Sequence, residues 1–150
     1  MSVSHGPGRF DPPRRVLVVD DDDEFRSNVA ATLTRAGYTV REAHGALEAM
    51  RMVLADPLDA VVLDLVLPDG HGIDVARAFR AVTTTRDICV VAMTASPGSV
   101  EFVDPRSFGA KTILIKPVGE AELLSAVDDC FGEATFTGEY ELPVQDLPTL

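Results

Sequence analysis

Five polar residues lie at the ends of four short apolar runs in this sequence, and each has a side chain suited to phosphate chemistry. Carboxylates bind hard divalent cations such as Mg²⁺ through oxygen, while a hydroxyl and an ammonium can stabilise charge on phosphoryl oxygens. The five residues, after the runs VLVV, AVVL, CVVAM and TILI, are Asp20, Asp21, Asp64, Thr94 and Lys116. Together their types predict a metal-assisted reaction on a phosphoryl group.

The four runs have the character of buried parallel strands, because they are continuously apolar and rich in β-branched residues. Asp21 and Asp64 are 43 positions apart, Asp64 and Thr94 are 30 apart, and Thr94 and Lys116 are 22 apart. Each interval is long enough for a helical crossover between parallel strands. Open α/β sheets bind ligands at the carboxyl ends of their strands, so we expect these side chains to face one another.

The acidic run that begins at Asp20 has a structural interpretation as well as a chemical one. Acids favour the positive end of a helix dipole, so we expect Asp22 or Asp23 to cap a helix and leave Asp20 and Asp21 for chemistry. Asp64 by itself could be a turn or capping residue. Buried beside other carboxylates, it would have a raised pKa unless a cation balanced the charge. Mg²⁺ is therefore the predicted cofactor.

Thr94 and Lys116 are weak signals when each is taken alone. Threonine favours strands because it is β-branched, and a lysine beside an apolar strand often extends its ammonium to solvent. The chemical interpretation depends on the joint pattern of all five residues.

Alternating short and long periodic segments predict a doubly wound α/β fold with a five-stranded parallel sheet. A glycine or proline ends several helices, as at Gly37, Pro57 and Gly109. Within 99–108 we expect a fourth helix, which Pro105 would break unless it begins a single turn capped by Asp104. The strands are predicted over 15–20, 38–43, 59–64, 88–94 and 112–116, and the other helices over 23–36, 45–55, 72–82 and 119–131.

Composition excludes several classes of function. The chain of 150 residues is the size of one domain. Its net charge is −11, and the last 34 residues hold eight acids and no lysine or arginine. With no basic stripe, nucleic-acid binding is disfavoured. No apolar run approaches the ~20 residues of a membrane span, and no secretory signal is evident, so we expect a cytoplasmic protein.

The cysteines and the two ends of the chain give weaker signals. Cys89 and Cys130 have no spacing typical of a metal site and fit a reducing compartment, so we expect them to pack rather than to react. Residues 1–13 are predicted to be a flexible segment rich in glycine and proline. Residues 132–150 are predicted to be an acidic tail, either disordered or docked on the domain or a partner.

Four short blocks in this order make residues 14–131 similar to the receiver domain of two-component response regulators. The blocks are Val18–Asp21 (VVDD), Leu63–Pro68 (LDLVLP), Met93–Ala95 (MTA) and Ile115–Pro117 (IKP). The resemblance implies a flavodoxin-like (βα)5 fold with strand order 2-1-3-4-5. It also implies a cis Lys116–Pro117 bond, which proline permits at modest cost.

The resemblance further implies a signalling role. Asp64 would accept a phosphoryl group from a histidine kinase or a histidine phosphotransfer protein, by self-catalysed transfer and dephosphorylation rather than as a turnover enzyme. Lys116, Thr94 and the backbone N–H of Ala95 would bind the phosphoryl group, and Thr94 would move on phosphorylation. The implied ligands of Mg²⁺ are Asp20, Asp21, Asp64 and the carbonyl of Val66.

Two departures from the family pattern leave alternatives open. Receivers usually carry an aromatic switch residue where this chain has Ile113, and prolines interrupt the expected fourth helix, so the output mechanism is expected to differ. A stand-alone receiver acting as a switch or relay carrier is the leading interpretation, with homodimerisation and the downstream target left open. The alternatives are a pseudo-receiver that binds proteins without phosphorylation, and a phosphohydrolase, which would need an acid at the position of Val66.

Overall fold

A five-stranded parallel sheet forms the centre of the computed structural model, which describes residues 12–134. Its strands lie in the order β2-β1-β3-β6-β7, which confirms the predicted order 2-1-3-4-5 for the five long strands. A separate antiparallel pair, β4 and β5, follows β3. The strands are β1 Arg15–Val19, β2 Thr39–Ala43, β3 Ala60–Asp64, β4 Val66–Leu67, β5 Gly70–His71, β6 Cys89–Thr94 and β7 Ala110–Ile115.

Helices cover both faces of this sheet. Asp22 caps the first of them, because its side chain accepts a hydrogen bond from the backbone N–H of Phe25 at 3.1 Å. Gly37 follows that helix with a φ of 106°, a conformation that glycine adopts without strain. The α-helices are α1 Asp23–Arg35, α2 Ala46–Ala55, α3 Gly72–Ala81 and α4 Glu120–Asp128.

The expected α-helix within 99–108 was wrong. Two short 3₁₀ helices, Pro97–Val100 and Pro105–Phe108, occupy this stretch. Asp104 caps the second by accepting from the backbone N–H of Arg106 at 2.9 Å, so Pro105 begins a single turn, as the alternative prediction had it. Two boundaries differ by two residues or more: β7 begins at 110 rather than 112, and α4 ends at 128 rather than 131 and is followed by a 3₁₀ segment, Asp129–Ala134. The other boundaries agree with the prediction to within one residue.

The hydrophobic core forms two layers, one on each face of the sheet, because successive side chains of a strand point to opposite faces. Leu17 and Val61 pack on one face against α2 and α3, while Val16 and Val62 pack on the other against α1 and α4. Burying an aliphatic side chain of this kind contributes about 1.5–3 kcal/mol relative to leaving it exposed. The central strands are apolar throughout because both of their faces are buried.

The two cysteines are bonded to each other, which corrects the prediction that they only pack. A disulfide joins Cys89, at the start of β6, to Cys130, just after α4, with a Cα–Cα distance of 5.8 Å. That distance lies within the normal range for a disulfide. The bond ties the last helical segment to the amino end of the sheet.

Two further predictions concern membrane-spanning helices and the two ends of the chain. Among residues 12–134, no helix is both long and apolar enough to cross a bilayer. The predictions of a flexible start and an acidic tail concern almost entirely residues 1–11 and 135–150, which lie outside the described part of the chain.

Candidate functional site

The parallel register brings the predicted site residues to one edge of the sheet. Val19 pairs with Leu63 across β1 and β3, so Asp20 and Asp64 leave neighbouring strands at the same level. On the other side of β3, the backbone N–H of Lys116 donates to the carbonyl of Thr94 at 2.8 Å. The four strand ends therefore meet, as the alternating pattern of the sequence predicts.

An ammonium bridge forms the centre of this edge. Lys116 Nζ lies 2.7 Å from Asp20 Oδ2 and 3.0 Å from Asp64 Oδ2. Both carboxylates are buried, with Asp20 fully inaccessible to solvent. The ring of Phe25, from α1, lies under the ammonium at 4.4 Å from Nζ to the ring centroid, which favours the cation through the negative face of the ring. Asp20, Asp64 and Lys116 thus form one connected charged group.

Burial and ion pairing shift the pKa values of this group in opposite directions. Burial raises the pKa of the Asp64 carboxyl above its ordinary value and the Asp20 charge raises it further, although hydrogen bonds from Val66 and Lys116 oppose this. For Lys116, burial disfavours the charge, but the hydrogen bonds to Asp20 and Asp64 outweigh it and raise the pKa of the ammonium. The lysine therefore stays charged, whereas ionisation of the Asp64 carboxyl is disfavoured by the fold.

The arrangement of the three acids fits a divalent cation. Asp20, Asp21 and Asp64 each offer a carboxylate oxygen, and these oxygens all lie within 4.8 Å of one another. Lys116 balances only one of the three negative charges. Asp21 is exposed whereas the other two are buried, so the cluster is open to solvent on one side. Oxygen donors, surplus negative charge and access from water are the features that a Mg²⁺ site requires.

The loop after Asp64 is anchored through contacts that the sequence reasoning missed. The Val66 backbone N–H donates to Asp64 Oδ1 at 3.0 Å. Further along, Asp69 accepts from the backbone N–H groups of Ala46 at 2.7 Å and Leu47 at 3.0 Å, at the start of α2. These two bonds hold the pKa of Asp69 below its usual value. An aspartate capping a distant helix has no local spacing signal, so the sequence did not reveal this contact.

Gly72, the first residue of the predicted helix 72–82, has a steric role that the structure reveals. A Cβ at this position would lie 2.5 Å from the carbonyl oxygen of Asp64 and 2.7 Å from the Cα of Leu65. Such distances are too short for real carbon atoms, so the start of α3 approaches the Asp64 loop only because residue 72 is glycine.

The remaining predicted residues lie on β6, just after it, on β7 and in the segment after Asp64. Thr94 is buried, and its hydroxyl oxygen accepts from the backbone N–H of Ser96 at 3.0 Å. Ala95, which follows Thr94, and Val66, two residues after Asp64, are both exposed. Ile113 pairs with Ala92 across β6 and β7 and packs against the core. The position that the family pattern reserves for an aromatic ring therefore holds a partly buried aliphatic side chain.

Comparison with known proteins points to one family. Residues 16–128 match the family model described as the response regulator receiver domain. The response regulator MprA of Mycobacterium ulcerans is 39% identical over 111 residues, which are 74% of this chain and 47% of MprA. MprA of Mycobacterium avium is 38% identical over 111 residues, 74% of this chain and 48% of that protein. The chain thus spans about half the length of the curated relatives it matches.

Solved structures show the same architecture. The chemotaxis response regulator CheY4 of Vibrio cholerae aligns with a TM-score of 0.72 at 27% identity, covering 79% of this chain and 98% of CheY4. The non-phosphorylated HemR receiver domain of Leptospira biflexa aligns with a TM-score of 0.70 at 29% identity, covering 79% of this chain and 94% of that one. In both cases the aligned part is nearly the whole of the other chain.

Proposed function

This chain belongs to the response regulator receiver family, and from that premise we propose that Asp64 accepts a phosphoryl group in a Mg²⁺-dependent reaction. The observation that carries the proposal is the Lys116 ammonium bound to both Asp20 and Asp64, beside three carboxylate oxygens within 4.8 Å of one another. A site of this kind can hold a cation and a phosphoryl group next to a carboxylate nucleophile.

The proposed chemistry is transfer to a carboxylate oxygen. A lone pair of Asp64 forms a bond to phosphorus while the bond from phosphorus to the donor breaks, and the electron pair of that bond leaves with the donor nitrogen or oxygen. Lys116 keeps the carboxylate oriented and offers positive charge to the phosphoryl oxygens. When bound by Asp20, Asp21, Asp64 and the Val66 carbonyl, Mg²⁺ supplies further charge stabilisation for the transfer.

Thr94 is proposed to respond to the new charge. Its hydroxyl oxygen accepts from Ser96, so its own hydrogen is available to donate elsewhere. The backbone N–H of exposed Ala95 provides a second donor. Reorientation of Thr94 toward the phosphoryl group would be the first step of any switch, and Ile113 would follow it with less bulk than an aromatic ring.

The proposed phosphodonor is a histidine kinase or a histidine phosphotransfer protein in the cytoplasm. We expect no turnover of phosphate esters, because the position two residues after Asp64 is Val66 rather than an acid. We also propose that the chain works as a switch or relay carrier.

Substitution of Asp64 tests the phosphoacceptor directly. With acetyl phosphate and Mg²⁺, the wild type should gain one phosphoryl group by intact mass, and Asp64→Asn should gain none. Asp74→Asn, an exposed acid on α3, is the matched control and should behave as the wild type. Comparable modification of the Asp64→Asn protein would refute the assignment.

A pseudo-receiver is the second candidate function. The observation that favours it is the replacement of a fourth α-helix by two 3₁₀ turns, together with Ile113 at the switch position. A protein of that kind should neither bind Mg²⁺ nor become phosphorylated. Titration with Mg²⁺, followed by calorimetry, therefore separates the two functions.

A further inference from the structure

Arg26, in the first turn of α1, binds the backbone between Asp20 and Asp21. Its Nη1 donates to the carbonyl oxygen of Asp20 at 2.7 Å. Its other nitrogens are held by carboxylates, Nη2 by Asp23 at 2.9 Å and Nε by Glu42, on β2, at 3.0 Å. The side chain is only 14% exposed. The guanidinium thus links α1, β2 and the strand end that carries Asp20.

The carbonyl that Arg26 binds belongs to the peptide joining Asp20 to Asp21. The rest of Asp20 is already restrained, since its backbone N–H donates to Ala43 and its carboxylate accepts from Asp22 and Lys116. On the far side of Asp20, where the chain continues to Asp21, the Arg26 contact holds the carbonyl itself, in addition to the bond from Asp22 to the carboxylate. Because a guanidinium is planar with donors in fixed directions, it sets the direction of that peptide as well as its position.

We propose that Arg26 is a positioning residue for the metal site: it holds the Asp20–Asp21 peptide so that exposed Asp21 stays within the three-carboxylate cluster. The inference rests on the proposed function, because it concerns the Mg²⁺ that the cluster would bind. The hydrogen bonds of Arg26 go to the Asp20 carbonyl, Asp23 and Glu42, so it would act on the metal through the backbone and not as a ligand.

The charge of Arg26 and its contact with the backbone predict opposite changes in Mg²⁺ affinity when Arg26 is removed. A cation near a cation site repels the metal, so removing its charge should by itself tighten Mg²⁺ binding. Loss of a group that orients a ligand should weaken binding, typically by 10-fold or more, on the order of other outer-shell partners. Arg26→Met therefore distinguishes the two effects by the direction of the change.

Calorimetric titration of the unphosphorylated protein with Mg²⁺ is the primary test. We expect Arg26→Met to weaken binding roughly tenfold and Arg26→Lys, which keeps the charge and one donor, to weaken it less. The matched control is Arg41→Met, which removes a cation of β2 that pairs with Asp56 at 2.7 Å and should leave affinity near that of the wild type. Phosphorylation by acetyl phosphate should need more Mg²⁺ in Arg26→Met yet reach the same maximal rate.

Glu42→Gln provides an independent test through the group that orients Arg26. Its lost negative charge would weaken Mg²⁺ binding slightly in any background, whereas loss of Arg26 orientation matters only while Arg26 is present. We therefore expect a clear loss of affinity in the wild-type background and little further loss in Arg26→Met. Equal losses in both backgrounds would contradict the positioning role.

The outcomes separate this inference from the proposed function. A wild type that binds no Mg²⁺ overturns both. A wild type that binds, with unchanged or tighter binding in Arg26→Met, overturns only the role of Arg26. If Arg26→Met fails to fold, as judged by its thermal melt, Arg26→Lys decides, because it keeps the positive charge: wild-type affinity would refute the role, and weakened affinity would support it.

Discussion

The carboxyl end of the sheet carries charge that the protein leaves partly unbalanced, whereas at the amino end Arg80 is matched by backbone carbonyls and a disulfide cross-links the chain. At the carboxyl end, one ammonium serves three carboxylates. At the amino end, the guanidinium of Arg80 donates to the carbonyls of Arg86, Ile88 and Gly109, and the disulfide between Cys89 and Cys130 lies nearby on β6.

This contrast indicates that reactivity and stability are separated along the strands. Sites that collect like charges commonly reduce stability in return for function. The buried contacts at the other end offset that loss without touching the site. Substitutions at the two ends should therefore change stability in opposite directions, and only those at the carboxyl end should affect phosphorylation.

Removal of the disulfide should produce the largest loss of stability. The bond closes a loop of 41 residues, and the chain-entropy relation gives about 4 kcal/mol for a loop of that length. Denaturant unfolding of Cys89→Ala/Cys130→Ala should show this loss, while phosphorylation by acetyl phosphate stays at the wild-type rate. Reductant should lower the unfolding midpoint of the wild type and leave the double variant unchanged. An unaltered midpoint for the reduced wild type would break the comparison.

Arg80→Met should destabilise the fold by about 3 kcal/mol, because three carbonyls lose a charged donor at once. Burial lowers the pKa of this guanidinium, but its hydrogen bonds keep it in place. The control is Arg77→Met, an exposed arginine on the same helix, which should change the free energy of unfolding by less than about 0.5 kcal/mol. Similar losses in the two variants would show that the Arg80 contacts contribute little.

Of these substitutions, Asp64→Asn should change stability least. It should stabilise the fold, whereas the disulfide and Arg80 variants are less stable. The pKa of Asp64 is raised in the folded state. The free energy of unfolding is therefore highest, with respect to this group, below the unfolded pKa, and it falls as pH rises through the folded pKa. At neutral pH the ionised carboxylate therefore destabilises the fold, and Asn should raise Tm by about 3 °C in the absence of Mg²⁺.

The difference between Asp64→Asn and the wild type should shrink as pH falls below the folded pKa of Asp64, and also when Mg²⁺ is added, since ligand binding stabilises the wild type. Thermal melts across pH provide the measurement. A Tm lowered by the substitution at neutral pH would mean that the carboxyl end is not under electrostatic strain.

Much of the fold and of the candidate site could be predicted because the signals are local. Apolar runs such as that before Asp64 identify strands, and the polar residue at each strand end identifies the edge where ligands bind. Local turn chemistry also gave the cap at Asp104 as one of two alternatives, and the structure has that one. The missing fourth helix was harder, because prolines show where a helix is unfavourable but not which short turns replace it.

By itself, the sequence determined the alternating elements, the parallel sheet and the identity of the charged residues at its carboxyl end, since each depends on periodicity within a few turns or strands. The tertiary structure alone decided which distant groups meet: Arg26 with the Asp20 carbonyl and Glu42, Asp69 with the start of α2, and Cys89 with Cys130. These contacts depend on how helices pack on the sheet, and no spacing along the chain encodes the direction of a single donor.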